Sequence, residues 1–212
     1  MATTPTSVPD TATDHAPRHS RKRGLTHVDV VAAGLAVVDG AGVDGLSLVA
    51  VAAHLDVRSP SLYAHIDGLA GLRRDLAHAA TVEFGEVLRD AVLGRSDEAA
   101  VRSFAEAYRA WATTFPGRYD LTLTPIHPDD AERRAGARLA LGAIQAVIRG
   151  FGLDDADAVK AGRSLRAAMD GFTRLENLDV MGRGDHDAEF AFLVDLLVDG
   201  IRSTAASEPP AA

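Results

Sequence analysis

A short polar stretch in the N-terminal third contains the side chains most able to recognise another molecule. They are Arg58, Ser59, Ser61, Tyr63 and His65, and they follow a short apolar-patterned segment and a tight turn. Two short helices joined by such a turn can place the second helix in the major groove of DNA, with its first residues at the base edges. Arginine suits the guanine edge there, and hydroxyl or imidazole donors suit phosphates. The spacing therefore predicts that Arg58, Ser59 and Ser61 face bases and that Tyr63 and His65 contact phosphates.

Three apolar residues around this stretch indicate which side of the second helix faces the core and which side faces solvent. Leu55, Leu62 and Ile66 have the spacing of an inward-facing stripe, so we expect them to pack against the neighbouring helices. For Tyr63 and His65 the spacing leaves a second interpretation open, in which they are a packed aromatic ring and a partly buried histidine.

Apolar residues at helical spacing predict three short helices in this part of the chain. The first begins after Thr26, a residue type favoured at the N-cap, and ends near Gly40 and Gly42. Ser47 is the expected N-cap of the second helix. Ser59 is the expected N-cap of the third, where proline follows at the first helical position and its missing N–H has no effect.

The rest of the chain continues with the same helical periodicity. We predict helices over residues 69–93 and 97–115, a short turn or helix through 119–123, a long helix that includes 141–151, and helices over 154–178 and 190–201, with a glycine-rich loop at 181–187. No segment alternates with the period of a strand, so the chain is predicted to be all-α.

Three other motifs could carry chemistry. Gly40, Gly42 and Gly45 have the G-x-G-x-x-G spacing, but a helix precedes them and no βαβ unit is predicted, so we do not expect nucleotide binding. The clusters at 127–130 and 185–187 combine histidine with carboxylates, as metal and acid–base sites do, yet both fall in predicted loops or at helix starts, where the helix dipole favours acids. No nucleophile elbow is visible. We therefore predict no enzymatic activity, no cofactor and no metal site.

The composition is that of an ordinary globular protein. The chain has 212 residues, of which 47% are hydrophobic and 25% are charged, and it has no cysteine, which excludes disulfides and thiolate sites. The longest uncharged apolar run, at 139–148, is about half of a membrane span. The N-terminus lacks the apolar core of a signal peptide. We therefore expect a soluble, cytoplasmic protein, and twenty arginines against two lysines suggest a GC-rich bacterial genome.

Charge is unevenly distributed along the chain, whose net charge is −8. Residues 15–78 sum to +1, whereas residues 79–212 sum to −7. Four bases are concentrated between residues 18 and 23. Such a block is most often a solvated arm, but beside a DNA-binding unit it can contact phosphates.

The stretch 46–66 resembles the helix-turn-helix signature of TetR-type transcriptional repressors, and its Leu-Tyr-x-His-Ile core at 62–66 is the most specific part. The segments 111–119 and 171–176 are similar to a branch of that family with a characteristic regulatory domain. The resemblance covers roughly residues 22–203. It implies an all-helical homodimer in which the first three helices bind DNA, the next four enclose a small-molecule pocket and the last two form the dimer interface.

The expected organisation follows from the periodicity and the resemblance together. Residues 1–20 form a disordered tail, 21–68 a helix-turn-helix DNA-binding domain, 69–204 a regulatory domain for ligand binding and dimerisation, and 205–212 a second disordered tail.

The resemblance also suggests which residues contact DNA. Val49 and Ala50 stand where many family members have arginines, Leu69 replaces a common lysine, and Asp56 replaces a frequent turn glycine. We therefore expect the basic arm to supply phosphate contacts or to enter a minor groove. The DNA-binding residues are predicted to be Arg21, Lys22, Arg23, Thr26, Ser47, Arg58, Ser59, Pro60, Ser61, Tyr63, Ala64 and His65.

An aromatic helix face with a few polar tips suits an apolar or aromatic effector. Plain core packing is the alternative for each residue of that face, and Phe115 stands where the branch usually has histidine. The predicted ligand-binding residues are Phe84, Leu88, Phe104, Tyr108, Trp111, Phe115, Tyr119, Ile144, Met169 and Phe172.

The two C-terminal helices have strongly apolar stripes, which suit a dimer interface, with intramolecular packing as the alternative. The predicted interface residues are Leu165, Met169, Phe172, Phe190, Leu193, Val194, Leu197, Val198 and Ile201.

These features together predict a ligand-responsive repressor. Its partners would be a palindromic double-stranded DNA operator, bound by the homodimer, and a small-molecule effector that releases the protein from DNA. The main alternative is a helical ligand-binding or interaction dimer without specific DNA binding, which the net acidity supports. A helical enzyme is a weaker alternative.

Overall fold

The computed structural model describes residues 24–127 and 129–207, and this part of the chain contains helices and no strands. The prediction of an all-α fold is confirmed. The elements in chain order are α1 (His27–Ala41), α2 (Leu48–His54), a 3₁₀-helix (Ser59–Ala64), α3 (Gly68–Val92), α4 (Asp97–Thr114), α5 (Pro116–Leu123), α6 (Ala131–Arg149), α7 (Asp155–Asn177) and α8 (His186–Ser207). Among these helices, none combines the length and the apolar character that crossing a bilayer requires.

The first two helices begin at the predicted N-caps. Thr26 and Asp29 form a reciprocal capping box at the start of α1, and Gly42, with φ 70°, ends that helix. The Ser47 hydroxyl accepts a hydrogen bond from the Ala50 N–H at 3.1 Å and caps α2. Local capping chemistry therefore sets both helix starts.

The third helix differs from the prediction at its first turn. Ser59 is not the N-cap. The Ser61 N–H donates to the carbonyl oxygen of Arg58 at 2.9 Å, which closes a 3₁₀ turn one residue earlier and puts Ser59 inside the helix. Arg58 takes the cap position with no side-chain hydrogen bond to the helix. Asp56, with φ 54°, adopts the left-handed conformation that the turn requires.

Several boundaries in the C-terminal part also shift. α6 ends at Arg149, so Phe151 lies beyond the helix that was expected to include it. α8 begins at His186, within the predicted loop. It continues through residue 207, so the C-terminal tail does not begin at 205, while the predicted tail at 1–20 lies outside the described residues.

α3 forms the centre of the fold because it packs against helices of both halves. Gly34 in α1 lies so close to α3 that an added Cβ would be 2.9 Å from a methyl group of Leu76. Further along α3, a Cβ at Gly85 would be 3.0 Å from the carbonyl oxygen of Gly136 in α6. These two glycine contacts let α3 approach α1 at one end and α6 at the other.

The short helix α5 makes a second connection between α1 and the rest of the chain. A Cβ on Gly117 would be 2.7 Å from the carbonyl oxygen of Val38, which belongs to the backbone of α1. The adjacent Arg118 pairs with Asp39 of α1 at 2.6 Å and with Glu83 of α3 at 2.7 Å. α1 is thus held by a backbone contact and by an ion pair that are neighbours in sequence.

We expect Gly117→Ala to destabilise the protein by about 1–3 kcal/mol, because its methyl group would overlap backbone atoms that cannot rotate away. Gly40→Ala in α1 is the matched control. A Cβ there meets nothing within 4 Å, so this variant should be as stable as the wild type or slightly more stable. Urea unfolding followed by circular dichroism measures both, and an undiminished midpoint for Gly117→Ala would contradict the close approach.

Candidate functional site

The 3₁₀-helix presents one polar face to solvent and one apolar face to the core. Leu62 is fully buried and Ile66 is 7% exposed, as predicted, while Leu55 is half-buried. Ser61 and Tyr63 are exposed, and the exposed fraction of Tyr63 is 62%. The helix is therefore anchored from below, and its outer side chains are free.

The two interpretations of Tyr63 and His65 are now separated. Tyr63 is an exposed ring, so it is not a packed aromatic residue, whereas His65 is half-buried. Within the described part of the chain, the side chains of Arg58, Ser61 and Tyr63 form no hydrogen bond or ion pair. Their donors are available to another molecule.

Two further predicted DNA contacts are helix caps. The Thr26 hydroxyl donates to the Asp29 carboxylate at 2.6 Å, so its hydrogen is already used. The Ser47 hydroxyl only accepts, and its own hydrogen remains available. Pro60 and Ala64 lie on the exposed side of the 3₁₀-helix and Ser59 is half-buried.

The electrostatics of this face depend on few positive groups. Between residues 24 and 78 the sequence has three arginines and six aspartates. Arg74 lies 3.4 Å from Asp67, and Val49 is 71% exposed on α2, where a basic residue is common in the resembling family. The predicted contacts Arg21, Lys22 and Arg23 lie outside the described residues. Of the three arginines, Arg58 is the one at the 3₁₀-helix, whereas Arg73 and Arg74 belong to α3.

A cavity of about 710 Å³ lies between α3, α4, α6 and α7, next to the end of α5. Its volume is within the range of small-molecule pockets. The lining is mostly apolar and includes Phe84, Leu88, Leu123, Ile126, Ala137, Ala140, Leu141, Ile144, Ile148, Ala158, Val159 and Gly162. The polar and charged lining residues are Thr81, Tyr108, Thr122, Gln145, Arg149, Asp155, Arg163 and Arg166.

Four of the ten predicted ligand-binding residues line this cavity, namely Phe84, Leu88, Tyr108 and Ile144. The other six, which come from α4, the residue after it, α5 and α7, pack in or against the core instead. Phe104, Tyr119 and Met169 are almost fully buried, Trp111 stacks on Phe84 with ring centres 4.7 Å apart, Phe115 packs on Trp111 at 5.9 Å, and Phe172 packs on Phe190 at 5.1 Å.

None of the six α7 residues that line the cavity was among the predicted ligand-binding residues. Ala158 and Gly162, four residues apart, contribute almost no side chain to this wall. A Cβ at Gly162 would be 2.8 Å from a methyl group of Ile144, so the two helices are close at this point. The signal in the sequence was the pair of small residues, Ala158 and Gly162, at helical spacing on α7, which faces the bulky side chains of α6.

A buried hydrogen-bond cluster lies at one wall of the cavity. Tyr108 and Tyr119 both donate to the same oxygen of Asp170, Tyr119 at 2.6 Å, and the two phenol oxygens are 3.3 Å apart. Burial raises the pKa of each phenol well above its usual range, and the neighbouring Asp170 carboxylate raises it further. The cluster joins α4, α5 and α7 through three side chains.

The two histidine–carboxylate clusters of the sequence serve as helix caps and ion-pair partners. Asp130 caps α6 by accepting from the Arg133 N–H at 2.8 Å. Asp185 accepts from the Ala188 N–H at 3.1 Å at the start of α8, and Asp187 pairs with Arg109 at 2.8 Å.

The predicted dimer-interface residues differ in how much surface they expose in a single chain. Six of the nine are buried within a single chain, because α7 and α8 pack on α4, α6 and each other. This is the intramolecular packing that the sequence analysis gave as the alternative. The six are Leu165, Met169, Phe190, Val194, Val198 and Ile201. Phe172, Leu193 and Leu197 are half-buried. The apolar residues that α7 and α8 expose are others, including Leu175, Phe192 and Leu196, whose exposed fractions are 48%, 64% and 55%.

Comparison with known proteins gives consistent matches over most of the chain. Residues 101–197 match the family model described as the tetracyclin repressor-like C-terminal domain. The HTH-type transcriptional regulator Rv0681 of Mycobacterium tuberculosis is 35% identical over 183 residues, which is 86% of this chain and 84% of that protein.

Two solved structures show the same fold. One is BioQ with its natural double-stranded DNA operator, with a TM-score of 0.61, 23% identity, and coverage of 85% of this chain and 99% of that one. The other is a single-residue variant of TetR from Acinetobacter baumannii in complex with minocycline, with a TM-score of 0.64, 23% identity, and coverage of 87% and 100%.

The raised phenol pKa values predict a loss of stability in alkali. Above about pH 10 the unfolded chain loses the tyrosine protons that the folded chain retains, so the free energy of unfolding falls as pH rises, by about 1.4 kcal/mol per pH unit for each such tyrosine. Tyr119→Phe should reduce this slope by about one tyrosine's share. Denaturant unfolding between about pH 9 and 11.5 measures it. Tyr63→Phe is the control, because it removes the hydroxyl of an exposed ring that has no partner among the described residues. Equal slopes for the two variants would refute the buried cluster.

Proposed function

The chain belongs to the TetR family of transcriptional regulators, and from that premise we propose that it is a repressor that binds a palindromic operator as a homodimer and is released by a small apolar or aromatic effector. The observation that carries the proposal is the outer face of the 3₁₀-helix, where Arg58, Ser61 and Tyr63 are exposed while Leu62 and Ile66 fix the helix from below. Membership of a family of transcriptional regulators supports DNA binding rather than catalysis, and so does the exposed polar face of this helix.

The proposed contacts follow from donor geometry. Arg58 lies at the N-terminal end of the 3₁₀-helix, where a side chain can reach the guanine edge in the major groove. Ser61 would face the bases beside Arg58, while Tyr63 and Ser47 would donate to phosphates and fix the orientation. BioQ, which has the same fold, was solved with its DNA operator. In a homodimer the two recognition helices would lie about 34 Å apart, one turn of DNA.

We place the dimer interface on the outer faces of α7 and α8. Leu175 on α7 and Phe192 and Leu196 on α8 are exposed apolar side chains, and half-buried Leu193 and Leu197 extend the α8 surface. Burial of such a surface between two copies is the usual reason for symmetric dimers. The proposed domains are then 21–68 for DNA binding and the helices from 69 onward for ligand binding and dimerisation.

The proposed effector site is the 710 Å³ cavity, and α5 is its connection to the DNA-binding helices. Tyr108 lines the cavity and shares Asp170 with Tyr119 of α5. Gly117 and Arg118 of the same helix contact α1. An effector that binds better to an arrangement with displaced α5 would shift the population away from the DNA-binding form. The Acinetobacter TetR variant, again of the same fold, was solved with minocycline bound.

The test uses an operator selected from a random-sequence library or from DNA flanking the gene, with fluorescence anisotropy at several salt concentrations. We expect Arg58→Ala to weaken binding by about 1–3 kcal/mol and to relax specificity at one base pair. Removal of residues 1–23, which include four bases, should lower the slope of log affinity against log salt by roughly 3 to 4.

Arg89→Ala is the control, because this exposed arginine lies at the far end of α3. It should leave both affinity and salt slope unchanged. Failure of the wild type to select any sequence would instead favour a ligand-binding dimer without specific DNA binding.

A second test addresses the connection through α5. We expect Arg118→Gln and Asp39→Asn each to weaken operator binding by about 0.5–2 kcal/mol although neither touches the recognition helix. The double variant should bind no worse than the weaker-binding single variant, because both break the same pair. The pair Arg102 and Asp195, which joins α4 and α8, serves as the control and should not affect binding. Wild-type affinity in both single variants would exclude this route.

A further inference from the structure

The cavity that we propose for the effector has two chemically different parts. Phe84, Leu88, Ile144 and Ile148 form an apolar body. The charged side chains in its lining are three arginines, Arg149, Arg163 and Arg166, and a single acid, Asp155. This positive excess occurs in a chain whose net charge is −8 and whose acidity is concentrated in the same C-terminal part.

The three arginines also differ from others nearby in how they are paired. Arg102, Arg109 and Arg118 each have a carboxylate oxygen within 2.6 Å. The side chain of Arg163 has no hydrogen bond or ion pair with any residue in the described part of the chain.

The two neighbours of Arg163 in the cavity wall are only partly satisfied. Arg149 donates its Nε–H to the backbone oxygen of Gln145 in its own helix, at 3.2 Å. Arg166 approaches Asp170 only to 3.5 Å, because the other oxygen of that carboxylate accepts from the two tyrosines. Guanidinium groups bind carboxylates bidentately and strongly, so free ones beside an apolar cavity form a receptor for an anionic head group.

We propose that the effector is an amphipathic carboxylate, with its apolar chain in the cavity and its carboxylate at Arg163, assisted by Arg149 and Arg166. This inference rests on the proposed function, since it names the chemical class of the effector for the same cavity. An uncharged apolar molecule would add no polar partner for these three exposed guanidinium groups, whereas a carboxylate can pair with them where the cavity opens to water.

The site also provides a route from the ligand to α5. A carboxylate that engages Arg166 competes with Asp170 for that guanidinium. Asp170 then interacts with Tyr108 and Tyr119 alone, and Tyr119 is part of α5. A negative charge at the mouth of the cavity would thereby change the hydrogen bonding of Tyr119 on α5, the helix that contacts α1.

The experiment reads binding without DNA, through the fluorescence of the single tryptophan, Trp111, which stacks on the cavity residue Phe84. Decanoate, 1-decanol and decylamine, below their aggregation concentrations, compare three head groups on one chain length. We expect decanoate to bind at least about tenfold more tightly than decanol, in keeping with hydrogen bonds to charged groups, and decylamine to bind most weakly.

Arg163→Gln should reduce decanoate affinity about tenfold and leave decanol affinity unchanged. Arg174→Gln is the matched control, since this exposed arginine is on the same helix but outside the cavity. Equal binding of decanoate and decanol, or an equal loss of both in Arg163→Gln, would overturn the proposal.

A second measurement adds each compound to the operator complex. Release by decanoate, reduced in Arg163→Gln, supports both the site and the effector-release step. Arg163-dependent binding of decanoate without release supports the carboxylate site and contradicts release. Release by decanol as effective as that by decanoate keeps the release step and overturns the carboxylate class.

Discussion

The contact between Gly117 and Val38 is the constraint on which the rest of the structure depends. The backbones of α5 and α1 approach so closely there that no side chain fits between them. Arg118, the next residue, adds a charged bond to Asp39 and a second to Glu83, so α5 is attached at once to α1 and α3. A change in the tilt of α1 relative to α5 would therefore break or shift these contacts, which couples the position of α5 to that of the DNA-binding helices.

Other side chains hold α5 from the opposite side. Tyr119 binds Asp170 of α7, and the guanidinium of Arg133 in α6 donates to the carbonyl oxygens of Leu121 and Thr124, at 2.9 Å each, where α5 ends. The exposed carbonyls of a helix end favour a positive group, so this buried arginine replaces the water that they would otherwise bind. Neighbouring residues of α5 thus contact α1, α3, α6 and α7. A small change at the cavity wall can therefore be transmitted to α1 through α5.

Sequence reasoning predicted those features that depend on near neighbours in the chain. The caps at Thr26 and Ser47 are correct, because capping needs only a hydroxyl two or three residues before the amides it binds. Ser59 was wrong by one position, because the tight turn after α2 determines where the 3₁₀-helix starts. The apolar stripes of α7 and α8 were recognised, but periodicity cannot tell whether a stripe faces its own chain or another, and Val194 and Leu165 proved to be core residues.

The cavity shows why a site is harder to predict than a helix. Aromatic residues attract attention as pocket walls, yet Phe104, Trp111 and Tyr119 fill space, because large apolar side chains gain most from complete burial. Small side chains, at Ala158 and Gly162, form part of the cavity wall instead, and the charged lining includes Arg163, which has no ion pair within the described residues. The small side chains and the unpaired charge matter because of the space and the missing ion-pair partner beside them, and residue type alone does not reveal either. The sequence pattern alone does not say which side chains face each other. That depends on how neighbouring helices pack, and here the facing sides of α6 and α7 together form the cavity wall.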